Sequence, residues 1–267
     1  QSAYFVDRPG HGGWHDLFLR VEGAAASRLA HYFDTLRRWL ASDAPTIRGI
    51  LHILSRRSDK KGPLRWLFNG PFRRMGPLTQ SIKHDIERAK SIRMVEAYFS
   101  PNWGMLRRLA RVVKRGGTVS VLTPSLSDND ITVAAARYCY GRLLKGDVAV
   151  HEFQPQMLHM KLIIVDDCVY VGSANFDMRS LFINGEVMLR IDDAAFAARM
   201  RTMYDAHLTY ARPVTNDLYA AARTWFARAY WMLSYFFITT ADFTVTRRFN
   251  VVPRRIAPKR SPTRIKP

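Results

Sequence analysis

The sequence has 267 residues, 48% of them hydrophobic and 12% aromatic, which excludes a disordered chain and provides for one large core or two modest ones. Forty-one Lys and Arg against 22 Asp and Glu give a net charge of +19, which favours anionic partners: nucleic acid, acidic lipid headgroups or phosphorylated substrates. The two cysteines, Cys139 and Cys168, exclude a disulfide framework, and no Cys/His spacing suggests a zinc module.

In chain order, residues 14–23 alternate apolar and polar positions at Leu17, Leu19 and Val21, which predicts a strand. Residues 24–40 carry Leu29, Phe33, Leu36 and Leu40 at helical spacing, which predicts a helix. Residues 42–79 are rich in Pro, Gly and basic side chains, Arg73 and Arg74 among them, and read as an irregular excursion holding a short helix or two. Regular alternation follows: helix 78–90, strand 91–99, helix 103–115 stopped by Gly116-Gly117, strand 118–124, helix 130–145 and strand 148–153. That order predicts an α/β fold with a largely parallel sheet. Segments 158–167, 168–173 and 185–192 are strands with no helix predicted between them, so part of the sheet must be antiparallel, giving a mixed sheet. A helix over 194–208 begins after Asp192-Asp193, a suitable cap. Residues 224–241 are aromatic, but the uninterrupted apolar run between Arg228 and Asp242 is 13 residues, against about 20 for a spanning helix. From Arg247 to Pro267 the sequence carries eight Lys or Arg and no acid, and reads as a disordered tail.

The chemistry concentrates between His159 and Glu186. His159 and Lys161 are two apart on a predicted strand and so project from one face. Asp166 and Asp167 supply a turn, and the chain then runs through Gly172-Ser173-Ala174-Asn175 to Arg179, Asn184 and Glu186. The set suits phosphodiester transfer. A neutral imidazole can attack phosphorus and hold it as phosphohistidine. The Lys161 ammonium, the Asn175 amide and the Ser173 hydroxyl are donors fit for the charge that grows on the nonbridging oxygens. Glu186 is the expected acceptor for the second ring nitrogen of His159. The carboxylates are too scattered for a two-metal clamp, so neither metal nor cofactor is expected. A bare H-x-K-x4-D recurs by chance on ordinary strands; joined to G-S-x-N and the Asn184/Glu186 pair, it favours the chemical reading.

The stretch "LHMKLIIVDDCVYVGSANFDMRS" resembles the HKD motif of the phospholipase D superfamily, with His159, Lys161 and Asp166 as its named residues. "AYFSP", "SDND", "YGRLLKGDVAVHEFQP" and "FINGEVMLRIDD" are similar to cardiolipin synthases, over residues 14–209, and "FTVTRRFN" (243–250) resembles C-terminal extensions of some members. The resemblance implies a bilobed α/β/α sandwich in which each lobe supplies one HKD motif to a shared site, one histidine as nucleophile and the other as acid. His159, in the second motif, would protonate the leaving group and later act as base. His159, Lys161, Asp166 and Glu186 are thus the candidate catalytic residues, with Asp166 expected to brace the turn or Lys161. Lys161, Ser173 and Asn175 are the candidate phosphate ligands.

No second H-x-K occurs, and "GWHDLFLRVEG" resembles the segment that follows a first motif, so the chain is expected to be a fragment. A single-motif homodimer and a degenerate relative are the other readings. The expected organisation is the end of an N-terminal lobe (1–45), a basic linker (46–77), one complete C-terminal lobe (78–212), and an aromatic helix with a basic tail (213–267). The expected activity is phosphatidyl transfer of the cardiolipin synthase type; a hydrolytic phospholipase D and a dimeric nuclease of the superfamily are the alternatives. Expected partners are phosphatidylglycerol-like phospholipids, an anionic membrane surface, and an HKD lobe in cis or on a second subunit. The aromatic and basic C-terminus fits lipid better than duplex DNA, so nucleic acid is not expected. The expected location is peripheral, on the cytoplasmic side of the inner membrane.

Overall fold

The computed structural model describes residues 13–43, 45–72 and 75–242; the basic tail, the 243–250 motif, and Arg73 and Arg74 lie outside the described residues. Helix α1 (Ala24–Leu40) is followed by α2 (Ile47–Arg57), β1 (Leu64–Asn69), α3 (Pro77–Arg88), β2 (Ser91–Glu96), β3 (Phe99–Ser100) and α4 (Trp103–Lys114). Then come β4 (Thr118–Pro124), α5 (Asp130–Leu144), β5 (Ala149–Phe153), β6 (Lys161–Val165), β7 (Cys168–Gly172), β8 (Phe176–Asp177) and α6 (Met178–Phe182). The last elements are β9 (Glu186–Asp192), α7 (Ala194–Leu208), β10 (Ala211–Pro213), α8 (Asn216–Ala222), α9 (Trp225–Phe236) and a π-helical turn over Phe237–Asp242.

Among the described residues, eight strands form one mixed sheet in the order β1-β9-β7-β6-β2-β4-β5-β10. The pairs β2–β4 and β4–β5 are parallel and the other pairs antiparallel, as the change from βα units to consecutive strands predicts. Alternate residues feed two cores. Ile92, Met94, Val121, Ile163 and Tyr170 pack with α3, α4 and α5 on one face, while Val95, Leu122, Leu162, Ile164 and Leu189 pack with α1, α2 and α7 on the other. The architecture is an α/β/α sandwich. β3 and β8 pair in parallel as a separate two-stranded ribbon.

Several elements depart from the sequence expectation. Residues 14–23 do not form a strand: only His15 makes a bridge, parallel to Leu158, and the rest is an arm. Leu17 and Val21 reach the second core, but Phe18 is 82% exposed, so the alternation marks one anchored side of a coil. The excursion at 42–79 contains α2 and a strand of the main sheet. In β1, Trp66 and Phe68 face one core and Leu67 the other, and Pro and Gly on both sides had masked this short apolar run. Helix α1 covers the same face as Trp66 and Phe68. Its Tyr32 stacks on Phe68 with centroids 3.9 Å apart, and Ala25 O accepts from Trp66 Nε1 at 2.8 Å. The stripe of α1 is rotated from the expected one, leaving Phe33 and Leu40 exposed. The strand expected over 91–99 breaks after Glu96, where the chain leaves the main sheet to form β3.

Candidate functional site

The site gathers at one end of the sheet. The last residue of β2 (Glu96), the first of β6 (Lys161), the residue after β7 (Ser173) and the first of β9 (Glu186) meet there, with the 14–21 arm laid across them. Antiparallel pairing sets Lys161 opposite Glu96. Gly172 is needed where β7 reaches this end, since a Cβ on it would collide with the backbone at Val187 O and Met188 Cα.

His159 precedes β6 and is held on both ring nitrogens. Its backbone N–H donates to His15 O at 2.8 Å, its Nδ1 lies 2.8 Å from Asp16 Oδ2, and the Trp14 ring packs at 4.5 Å between centroids. The Lys161 ammonium is 2.7 Å from His159 Nε2 and donates to His159 O at 2.6 Å. An ammonium can only donate, so Nε2 is the acceptor and Nδ1–H donates to Asp16. Asp16 therefore occupies the place expected for Glu186. Burial alone would lift the Asp16 carboxyl, but the hydrogen bonds from His159 and the Leu17 N–H, with the charge of Lys161, hold it below the ordinary aspartate value.

Lys161 is 6% exposed, and burial pushes its pKa down to about 8 against the opposing pull of Asp16, Glu96, Glu186 and Asp177. Glu96 lies wholly buried beneath it, accepting from Phe176 N–H at 3.0 Å; burial raises its carboxyl well above the usual range. Asp177 caps α6 through Ser180 N–H, and burial lifts it to about 6.

Glu186 organises the neighbouring loop. It accepts from Ser173 Oγ at 2.5 Å, Ser180 Oγ at 2.9 Å and Asn184 Nδ2 at 3.2 Å. Ser173 Oγ also accepts from Val187 N–H. Asn175 Oδ1 is buried without a hydrogen-bond partner among the described residues. Asp16, His159, Lys161, Ser173 and Asn175 line a cleft of about 440 Å³ together with the arm's Leu17–Leu19 and Trp66.

Asp166 is not in this group. It sits at the far end of β6 at φ 49°, and its carboxylate accepts from Ser91 N–H at 2.8 Å and Lys90 N–H at 3.1 Å. It braces the β6–β7 turn against the start of β2 and does not brace Lys161. Sequence reasoning missed Asp16 and Glu96. Asp16 lies on an arm 143 residues away from His159, and Glu96 has the pattern of an ordinary polar end to a strand. Among the described residues, no three His, Cys, Asp or Glu side chains are grouped to hold a metal ion.

The mixed-sheet α/β/α sandwich, the His-x-Lys pair, the Ser-x-Asn loop and the cleft at the sheet's end agree with the resemblance read from the sequence. Residues 82–208 match the family described as cardiolipin synthase, PLD-like domain. Cardiolipin synthase A of Cronobacter sakazakii is 28% identical over 247 residues, covering 88% of this chain and 49% of the relative. Cardiolipin synthase A of Buchnera aphidicola from Schizaphis graminum is 26% identical over 232 residues, covering 85% and 46%. The chain thus spans about half the length of the curated relatives it matches. The crystal structure of phosphatidylserine synthase from Haemophilus influenzae shares the fold, with TM-score 0.51, 14% identity, and coverage of 71% of this chain and 47% of that one.

Proposed function

We propose that this chain supplies one half-site of a phosphatidyltransferase of the cardiolipin synthase type. The observation that carries the reading is the Asp16–His159–Lys161 chain of contacts opening into a cleft beside Ser173 and Asn175. A second HKD lobe, in cis or on another subunit, completes the site. Its histidine attacks the phosphorus of a phosphatidylglycerol-like donor, and the P–O bond to the leaving alcohol breaks. As the donor draws Lys161 off Nε2, that nitrogen takes a proton from solvent; His159 gives it to the leaving oxygen, then takes one from the acceptor hydroxyl as the acceptor oxygen displaces the phosphohistidine. Lys161, moving from Nε2 to the nonbridging oxygens, meets the charge of both pentavalent states, joined by Ser173 and Asn175. The enzyme works peripherally, on the cytoplasmic side of the inner membrane.

The test is product formation from phosphatidylglycerol vesicles by the chain alone and joined to an HKD lobe. The chain alone is expected to be nearly inactive and the two-lobed protein to form a diphosphatidyl product. Robust turnover by the isolated monomer refutes the shared site, and phosphatidic acid as the main product moves the reading to hydrolysis.

Asp16 acts through His159 as a positioning residue. In the two-lobed protein, Asp16→Asn is expected to lower kcat roughly 10²-fold and leave KM nearly unchanged, because the ring loses its fixed tautomer. A merely structural role would lower the melting temperature and spare kcat. With its carboxyl held below the ordinary value of 3.8, the stability Asp16 contributes is complete above that pH and lost as pH falls through the depressed value.

A further inference from the structure

Helix α9 has two apolar faces, and the fold uses one. Trp231, Ser234 and Tyr235 are buried, and Tyr235 packs against Trp103 and Tyr138 with centroids 5.1 Å away in each case. Tyr235 Oη also donates to Pro101 O at 2.9 Å, so this face is fixed to the body of the protein. The opposite face presents Phe226, Tyr230, Leu233 and Phe237 at spacings of four, three and four, with Trp225 and Phe236 beside them. These six side chains are between 48% and 70% exposed. Scattered apolar side chains on a surface are ordinary, but a continuous stripe of this size marks a binding face.

We infer that this outer face of α9 is the surface by which the protein docks on an anionic lipid bilayer, lying in the headgroup region. Two observations select that occupant. No helix of the described residues is long and apolar enough to cross a membrane, so the face suits a helix lying flat, sunk roughly 5–10 Å. The chain that continues from the end of this helix, outside the described residues, carries eight Lys or Arg between Arg247 and Pro267 and no acid. Cationic sequence next to an aromatic stripe complements a negatively charged interface that also offers hydrocarbon. The π-helical turn after α9 packs on α6, whose Ser180 donates to Glu186, so this helix is joined through α6 to the loop that carries Ser173. The inference goes beyond the transfer chemistry, and binding is read without turnover.

The experiment measures binding of the full chain to phosphatidylcholine vesicles with and without phosphatidylglycerol, comparing wild type with the double variant Leu233→Glu, Phe237→Glu. Binding of wild type is expected to require phosphatidylglycerol and to weaken with salt. The variant is expected to bind about tenfold more weakly or worse, since two apolar contacts become charges, with circular dichroism unchanged. Brominated acyl chains are expected to quench Trp225, seen as quenching lost in Trp225→Phe. Should the variant misfold, Leu233→Ser and the Trp225 quenching decide. Unchanged vesicle affinity in a folded variant overturns the proposal, as does loss of a dimer with vesicle affinity intact, which would make the face a contact between copies.

Discussion

His159→Ala is expected to remove phosphatidyl transfer by roughly 10³-fold or more in a protein containing both lobes, with circular dichroism unchanged. The imidazole is the group whose Nε2 opens to the cleft, and a methyl group can neither hold phosphorus nor move a proton. The fold should survive, because the ring is partly exposed and the neighbouring backbone contacts do not depend on it. The His159 N–H to His15 O bond and the His15–Leu158 bridge both remain in the variant. Radiolabelled donor traces the outcome. Turnover near wild type would show that the site is misplaced.

The second large effect is expected at Lys161. Lys161→Ala should lower kcat about 10²–10³-fold, the usual cost of losing one donor aimed at transition-state charge. Its pH dependence gives a separate signature. With the ammonium pKa at about 8, half the cation is gone at that pH, so kcat/KM should fall as pH rises through it. Lys161→Arg keeps its charge to far higher pH, so whatever activity it retains should lack that alkaline limb. A limb that persists in the arginine variant would belong to some other group.

The sandwich was largely legible because both its periodicities are strong: helices such as α7 begin where Asp193 can cap them, and β6 and β7 are continuous apolar runs. The misreadings share a cause. Residues 14–23 have a strand's alternation but find only one backbone bridge, since pairing depends on what the fold brings alongside. β1 has the opposite history: six residues between prolines and glycines are too few to announce themselves, yet β9 offers an edge along their whole length.

The site was legible in its kinds of residue and less so in their partners. His159, Lys161, Ser173 and Asn175 meet at one cleft because the β6–β7 hairpin folds them back on one another. Asp166 belongs to the same motif but was carried to the other end of the strand, where its work is to hold a turn. Glu186 was assigned to the imidazole and instead grips Ser173. Which carboxylate meets a histidine is a matter of tertiary distance, and no spacing in the chain records it.

The ammonium resting on His159 Nε2 has a consequence for idle chemistry. While Lys161 stands there, the lone pair that must take up a proton before the ring can act as acid is stoppered, and a water molecule entering the cleft meets an occupied nitrogen. Only a group with enough negative charge to draw the ammonium away uncovers it. Arrival of the phosphodiester and arming of the ring thus become one event under the proposed reaction, and an empty cleft keeps itself safe.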